Sequence, residues 1–288
     1  MLIPPSAQPE EEDSFLRSLP GPPDVVIADL YRPSQGQIDA LRRGPWILVI
    51  FDDENNLLFD CDLLVNPNVN QVFSHRHTPG TTYLRGGDAV MLRRQFRHLP
   101  QYETSDALRR LLVCFGGSDP NDLTRRFIAW FDGDGLPQDV EAISVLVGEG
   151  YPPDETLFAQ LAGESKLKVL RQQDEVASLM QQSDAGVFTA GTLAHEALAA
   201  GLPSLLTAVN DSQAWEAEAL ASTGAAVFLG RASALTREQL TAALDSLLEA
   251  NTCSKASQAG QELIDGLGCE RVAGLIVQIA GAGGMLST

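Results

Sequence analysis

The chain has 288 residues, 44% of them hydrophobic, which is enough to bury a large core in one or two domains. Its net charge of −18, from 20 basic and 38 acidic residues, predicts repulsion from nucleic acids and anionic membranes. No apolar run reaches the roughly 18 residues of a membrane-spanning helix. The stretch MLIPPSAQPEEEDSF is too polar for a signal peptide. We therefore expect a cytoplasmic protein with no nucleic-acid or membrane partner.

The cysteines and histidines form no metal-binding pattern. The four cysteines lie far apart without a CxxC pair, and the four histidines complete no ligand spacing. His75 and His77 stand two residues apart in a predicted loop, where we interpret them as exposed polar residues. We expect no metal and no cofactor.

Residues 1–104 are predicted to form a partial N-terminal α/β domain and a linker. Strands are predicted at DVVIADL, WILVIFDD and CDLLVNP, with a helix at SQGQIDALRR and another at EEDSFLRSL. The stretch TTYLRGGDAVMLRRQFRHLPQYETS has no clear period, so it is interpreted as the connection between the halves.

Residues 105–288 are predicted to form a complete doubly wound, Rossmann-like domain. Strands are predicted at RLLVCFGG, VEAISVLVG, LKVLRQ, AGVFTAG, PSLLTAV and AAVFLG. Helical patterns alternate with them, at DLTRRFIAWF, DETLFAQLAGE, DEVASLMQQ, TLAHEALAAG, SQAWEAEALASTG and TREQLTAALDSLLEA. Continuous apolar strands between helices are typical of a parallel sheet covered on both faces. Residues 255–279 are predicted mostly helical, with a break near 266–268.

Ligands of such sheets bind beyond the carboxyl ends of the strands, near the reversal in strand order. One candidate loop there is FGGSDP, in which two glycines allow the backbone to approach a ligand closely. Ser118 or Asp119 could cap a helix starting near Asn121. An ordinary βα turn explains Gly116 and Gly117 equally well.

A second candidate is VFTAGTLAHE, where a strand becomes a helix. Free backbone N–H groups at Gly191 and Thr192, with the helix dipole, suit a phosphate, although Thr192 is also a good N-cap. Glu196 shares a face with Thr192 and could accept both hydroxyl hydrogens of a ribose, or it could simply satisfy the dipole. His195 points elsewhere and is interpreted as a packing residue. In a third loop, Gln213 would face the same crevice, or is an ordinary polar residue of a helix N-terminus.

Together these loops resemble the nucleotide-binding half of the PseG/SpsG family. Those proteins are UDP-sugar hydrolases of the pseudaminic-acid pathway, with the GT-B fold also used by MurG-type glycosyltransferases. The resemblance rests on LLVCFGGSDPNDLT and on the stretch from SDAGVF to AAVFLG, and runs from about residue 24 to about residue 230. Further matches to the family's pattern lie at Asp29, Tyr31, Asp52, Asp53, Asn66, Gly86, Leu92, Arg93 and Phe96.

The resemblance implies a UDP-sugar or UDP as partner, held by the second half. Glu196 would contact the ribose, and Gly191 and Thr192 would lie near the diphosphate. The sugar would lie between the halves, with Asp29, Tyr31 and Asn66 on its side. In the family, water attacks the anomeric carbon and UDP leaves, with no metal required.

The sequence also departs from the family. The family opens with a Gly-x-Gly-His turn whose histidine is thought to activate water, and none of the four histidines here has that context. Gly87 and Ala89 replace a Pro and a Tyr of the linker, while Leu193 and Ala194 replace hydroxyl residues. No catalytic residue is assigned, and the first domain is expected to be truncated, favouring a homo-oligomer or a completing partner chain. Three hypotheses stay open: a UDP-sugar hydrolase, a non-catalytic nucleotide-sugar binder, and a GT-B glycosyltransferase.

Overall fold

The structure is a computed structural model that describes residues 15–16, 18–30, 33–53, 57–70, 76–131, 139–152, 166–171, 173–249 and 251–284. The chain divides into two compact units, each with its own parallel sheet. The first unit comprises Met1–Met91 together with Leu267–Thr288, and the second comprises Leu92–Gly266.

In the described part of the first unit, a four-stranded parallel sheet has the order β1-β2-β4-β6. Its strands are β1 (Val25–Asp29), β2 (Ile47–Phe51), β4 (Leu63–Asn66) and β6 (Thr82–Arg85). The short strands β3 (Leu58–Phe59) and β5 (Arg76–His77) pair separately. Helix α1 (Gln35–Arg42) connects β1 to β2 and begins with a capping box between Ser34 and Gln37.

Alternation along the strands gives this sheet two apolar faces. Leu48 and Ile50 of β2 pack in the cluster that contains Ile38 of α1. Val49, between them, packs on the opposite face with Val272 of helix α8 (Gly268–Gly284). Successive side chains of a strand point to opposite faces, so five residues of β2 anchor a helix on each side.

The first unit differs from the predicted N-terminal half in two respects. The three predicted strands are present, but β6 forms a fourth within the stretch interpreted as a connection. The unit also ends near residue 91 rather than 104, and it includes the C-terminal helix α8, which was assigned to the other half. The reason is burial: the apolar side of α8 covers Val49, Leu63 and Val65.

In the second unit, the six parallel strands that the structure describes lie in the order β12-β11-β10-β7-β8-β9. Their bounds are β7 (Arg110–Cys114), β8 (Ala142–Val147), β9 (Leu167–Arg171), β10 (Ala185–Thr189), β11 (Ser204–Ala208) and β12 (Ala226–Arg231). Along the chain this is the order 6-5-4-1-2-3, the doubly wound arrangement with its reversal between β7 and β10. The predicted fold class is confirmed.

The helices of this unit follow the predicted pattern wherever the structure describes them. They are α2 (Leu123–Trp130), α3 (Val176–Gln181), α4 (Thr192–Ala199), α5 (Asp211–Ser222), α6 (Arg237–Leu247) and α7 (Thr252–Leu263). The predicted break near residues 266–268 separates α7 from α8. The helix predicted at DETLFAQLAGE lies outside the described residues. Every residue of β10 and β11 is buried, as expected for central strands of a doubly covered sheet.

None of the described helices combines the length and the apolar character that a membrane crossing requires. Among the described residues, no group of three His, Cys, Asp or Glu side chains could hold a metal ion.

The packing of α8 predicts unequal effects of two valine substitutions on one helix. Val272 is 5% exposed and Val277 is 71% exposed. Val272→Ala should lower the free energy of unfolding by about 1–3 kcal/mol, whereas Val277→Ala should stay within about 0.5 kcal/mol. Both changes alter helix propensity equally, so their difference in urea unfolding isolates burial. Equal midpoints for the two variants would contradict this packing.

Candidate functional site

Three loops of the second unit meet at the carboxyl edge of its sheet. Cys114 near the end of β7 pairs with Phe188 of β10, and Thr189 pairs with Thr207 of β11. The loops that follow these three strands are therefore neighbours. Two of them flank the reversal in strand order, where doubly wound sheets bind ligands.

The loop after β7 presents bare backbone at this edge. Gly116 has φ +98°, a conformation that favours glycine, and a Cβ built there would lie 3.8 Å from Thr189 Oγ1. Gly117 is exposed, and a Cβ built on it meets no heavy atom within 4 Å. Gly117 and the exposed Ser118 thus border open space beside β10.

Of the two capping candidates, Ser118 and Asp119, it is Asp119 that caps the first N–H groups of α2. Its carboxylate accepts hydrogen bonds from the backbone N–H of Leu123 at 3.0 Å and of Thr124 at 2.7 Å, and the residue is 5% exposed. Helix α2 begins at Leu123, two residues later than expected. Asp119 therefore fixes the far end of the glycine loop to α2, while its prediction as a ligand contact stays untested.

A second glycine loop, which follows β8 and was not among the predicted site loops, packs against the first. A Cβ built at Gly148 would lie 2.4 Å from the Gly117 carbonyl oxygen. A Cβ built at Gly150 would lie 3.1 Å from Ser118 Cβ. Only residues without side chains allow this close contact. The GEG sequence after β8 is therefore the one feature of the sequence that indicates it.

The loop after β10 leads directly into α4. Gly191 occupies the N-cap position without a side-chain cap, and Thr192 is the exposed first residue of the helix. Thr192 as N-cap is therefore wrong by one residue. The Gly191 N–H, predicted to be free, instead donates to the Thr189 carbonyl at 2.8 Å. The first N–H groups of the helix itself, those of Thr192 and Leu193, have no partner within the helix and point out of this end. Together with the helix dipole they favour an anion here.

Gln213 joins the third loop to the second. Its Oε1 accepts the Val209 backbone N–H at 3.1 Å, and its own N–H is capped by Asn210 Oδ1 at 2.9 Å. A Cβ built at Gly191 would lie 3.9 Å from Gln213 Nε2. The structure therefore brings Gln213 beside Gly191, at the crevice where it was expected.

Glu196 is held by Arg93, a partner for which the sequence around Glu196 carries no signal. Arg93 Nε donates to Glu196 Oε1 at 2.7 Å, and Arg93 Nη2 donates to Oε2 at 2.6 Å. The Glu196 side chain is 3% exposed and that of Arg93 is 46% exposed. The hydrogen bonds from Arg93 to Glu196 raise the pKa of the guanidinium above its usual value. The only sequence signal was the match of Arg93 to the linker pattern.

Two nearby reactive residue types are held inert. His195 Nε2 lies 2.9 Å from Glu216 Oε1, and both residues are buried, which agrees with the expected packing role. Burial raises the pKa of the Cys114 thiol to about 11, so it stays protonated at neutral pH. Neither the His195 imidazole nor the Cys114 thiol is therefore a candidate nucleophile.

The residues predicted to lie on the sugar side belong to the first unit. Asp29 ends β1 and is exposed, while Asn66 ends β4 and is buried. Both stand at the carboxyl edge of that sheet, and Asn66 Oδ1 accepts the Asn68 backbone N–H at 2.9 Å. Tyr31 lies outside the described residues.

No family model matches the chain. The spore coat polysaccharide biosynthesis protein SpsG of Bacillus subtilis (strain 168) is 26% identical to it over 233 residues, which are 80% of this chain and 68% of SpsG. The similarity includes the glycine loop, α4 and the strands between them. The predicted resemblance to the SpsG/PseG family is confirmed by this similarity.

Solved structures agree with the GT-B fold of this SpsG/PseG-like chain. MurG of Acinetobacter baumannii has a TM-score of 0.63 at 17% identity, over 92% of this chain and 76% of MurG. The spinosyn rhamnosyltransferase SpnG, complexed with thymidine diphosphate, has a TM-score of 0.57 at 15% identity, over 98% of this chain and 77% of SpnG. These likenesses support the GT-B fold of the chain.

The contact between the two glycine loops of the SpsG/PseG-like chain predicts a sharp difference between two alanine substitutions. Gly148→Ala must push Gly117 away, and we expect a loss of about 1–3 kcal/mol in the free energy of unfolding. Gly117→Ala enters open space and should change it by no more than about 0.5 kcal/mol. Chemical denaturation of both variants measures the difference. A fully stable Gly148→Ala variant would contradict the close approach.

Proposed function

We propose that the chain binds a UDP-activated amino or deoxy sugar through the second unit and hydrolyses it with release of UDP. The observation that carries the binding proposal is the convergence of three loops at the reversal in strand order. One offers the open backbone of Gly117, another the N-terminus of α4, and the third the side chain of Gln213. Backbone N–H groups and a helix dipole favour a diphosphate even on a chain of net charge −18.

Each predicted residue has a place in this proposal. Gly116, Gly117, Gly191 and Thr192 would surround the diphosphate, with Ser118 at its margin. Glu196 would accept hydrogen bonds from the ribose hydroxyls, one turn further along α4. Asp119 would act indirectly, by fixing the glycine loop.

The candidates for contact with the sugar are residues of the first unit. Asp29, Tyr31 and Asn66 match the family pattern and remain candidates for contact with the sugar hydroxyl or amino groups. Exposed or hydrogen-bonding polar groups at a carboxyl sheet edge suit such a ligand.

The proposed reaction is a hydrolysis at the anomeric carbon. A water oxygen forms a bond to that carbon, the bond from the carbon to the UDP oxygen breaks, and UDP leaves with the electron pair. The water proton is released to solvent or to a general base. No residue is assigned as that base, because none of the four histidines stands in the family's Gly-x-Gly-His context and His195 is buried against Glu216.

That absence of an assigned base favours a second candidate, a nucleotide-sugar binder without turnover. Leu193 and Ala194 point the same way, because they offer no hydroxyl to a phosphate oxygen. A glycosyltransferase is the third candidate and differs by needing an acceptor other than water.

Calorimetric titration with UDP, followed by an assay for UDP release from UDP-sugars, tests these candidates in turn. We expect UDP to bind and free uridine to bind far more weakly, because the diphosphate contacts dominate. UDP release in water alone supports the hydrolase, whereas release only with an added acceptor supports a transferase. Binding without release supports the binder. Failure to bind UDP would contradict all three.

Gly117→Ala tests where the diphosphate binds without disturbing the fold. Its methyl group would enter the space proposed for the diphosphate, while the fold has room for it. UDP affinity should fall about tenfold or more, with an unchanged unfolding midpoint. Unchanged UDP affinity would place the ligand elsewhere.

A further inference from the structure

The bidentate ion pair between Arg93 and Glu196 joins residues 103 positions apart in sequence. Both belong to the second unit, in which Arg93 is the second residue. Parallel N–H groups of a guanidinium match the two oxygens of a carboxylate, so this pair fixes the orientation as well as the position of Glu196. The Arg93 guanidinium also lies 5.5 Å from the centre of the Phe96 ring, which restricts its own side chain.

The two partners differ in their need for the pair. Glu196 is almost fully buried, and a buried carboxylate without a partner is strongly unfavourable. Arg93 is nearly half exposed and would remain solvated alone. The ion pair therefore stabilises chiefly the buried charge of Glu196.

A bound diphosphate would make neutralisation of the Glu196 carboxylate more important. Glu196 follows Thr192 by four residues, about 6 Å along the axis of α4. Negative charges at such a separation repel each other strongly in a partly buried site. A nucleotide diphosphate and an uncompensated Glu196 carboxylate would thus oppose each other, whereas the neutral Arg93–Glu196 pair avoids this repulsion.

Pairing still leaves Glu196 able to accept further hydrogen bonds. A carboxylate has about four acceptor sites, and Arg93 occupies one on each oxygen. One site on each oxygen remains, which matches two neighbouring hydroxyl groups such as those of a ribose.

We propose that Arg93 is the positioning residue of the nucleotide site, which neutralises Glu196 beside the diphosphate and orients its carboxylate toward the ribose hydroxyls. This inference rests on the proposed function, because it assumes that a ribonucleoside diphosphate binds at α4. Arg93 would then affect the preference for ribose over deoxyribose, which a residue with a purely structural role would not.

The test measures the affinities of UDP and 2′-deoxy-UDP for the full chain and its variants by calorimetry. The wild type should prefer UDP by about tenfold. Arg93→Met should bind both ligands about tenfold or more weakly and lose the preference. Arg93→Lys keeps a charge without the fork, so it should retain most of the affinity but lose much of the preference. Arg94→Met removes the adjacent exposed charge and should behave as wild type.

The double variant Arg93→Met/Glu196→Gln separates neutralisation from a general loss of structure. Without the buried carboxylate, it should bind both ligands more tightly than Arg93→Met, with no preference between them. Strictly additive losses, or an Arg93→Met variant that retains wild-type affinity and preference, would overturn the inference. Failure of the wild type to bind UDP would instead overturn the proposed function, so the two failures are distinguishable.

Discussion

The parallel pairing of β7 with β10 is the interaction on which the second unit depends. It brings together strands separated by two other strands of the chain, and so creates the reversal in strand order. Because β10 is buried throughout and β7 is buried from Leu111 to Cys114, the pairing is fixed by the core rather than by the loops. The loops that leave these strands diverge to opposite sides of the sheet, which opens a crevice at their carboxyl ends. Every residue of the candidate diphosphate site follows from that geometry.

Electrostatics explains how so acidic a chain could hold an anion. Net charge acts over the whole surface, but a diphosphate would experience mainly the nearest groups, because salt screens distant charges within about 10 Å. Those groups are backbone amides, the N-terminus of α4, the Asp119 carboxylate, which accepts two backbone N–H groups of α2, and a glutamate paired with Arg93. These local donors therefore favour an anion even though the chain carries −18.

Local sequence patterns predicted most of the helices and strands. The features that could not be predicted depend on contacts between residues far apart in sequence. Buried strands such as β10 appear as unbroken apolar runs, whereas β6 is only partly buried and has no such run. The apolar spacing of α8 predicted a helix but not which sheet it covers. Asp119 lies close enough in sequence to α2 for its capping role to be foreseen. Arg93 is 103 residues from Glu196, and no local rule connects them.

Hydrogen–deuterium exchange with and without UDP shows directly whether the nucleotide lies at the β7–β10 crevice. We expect UDP to slow exchange in peptides covering residues 115–118, 190–193 and 209–213, and Arg93→Met to weaken this protection. Protection confined to the polar groove lined by Tyr102, Ser257 and Gln261, or no protection at saturating UDP, would contradict it.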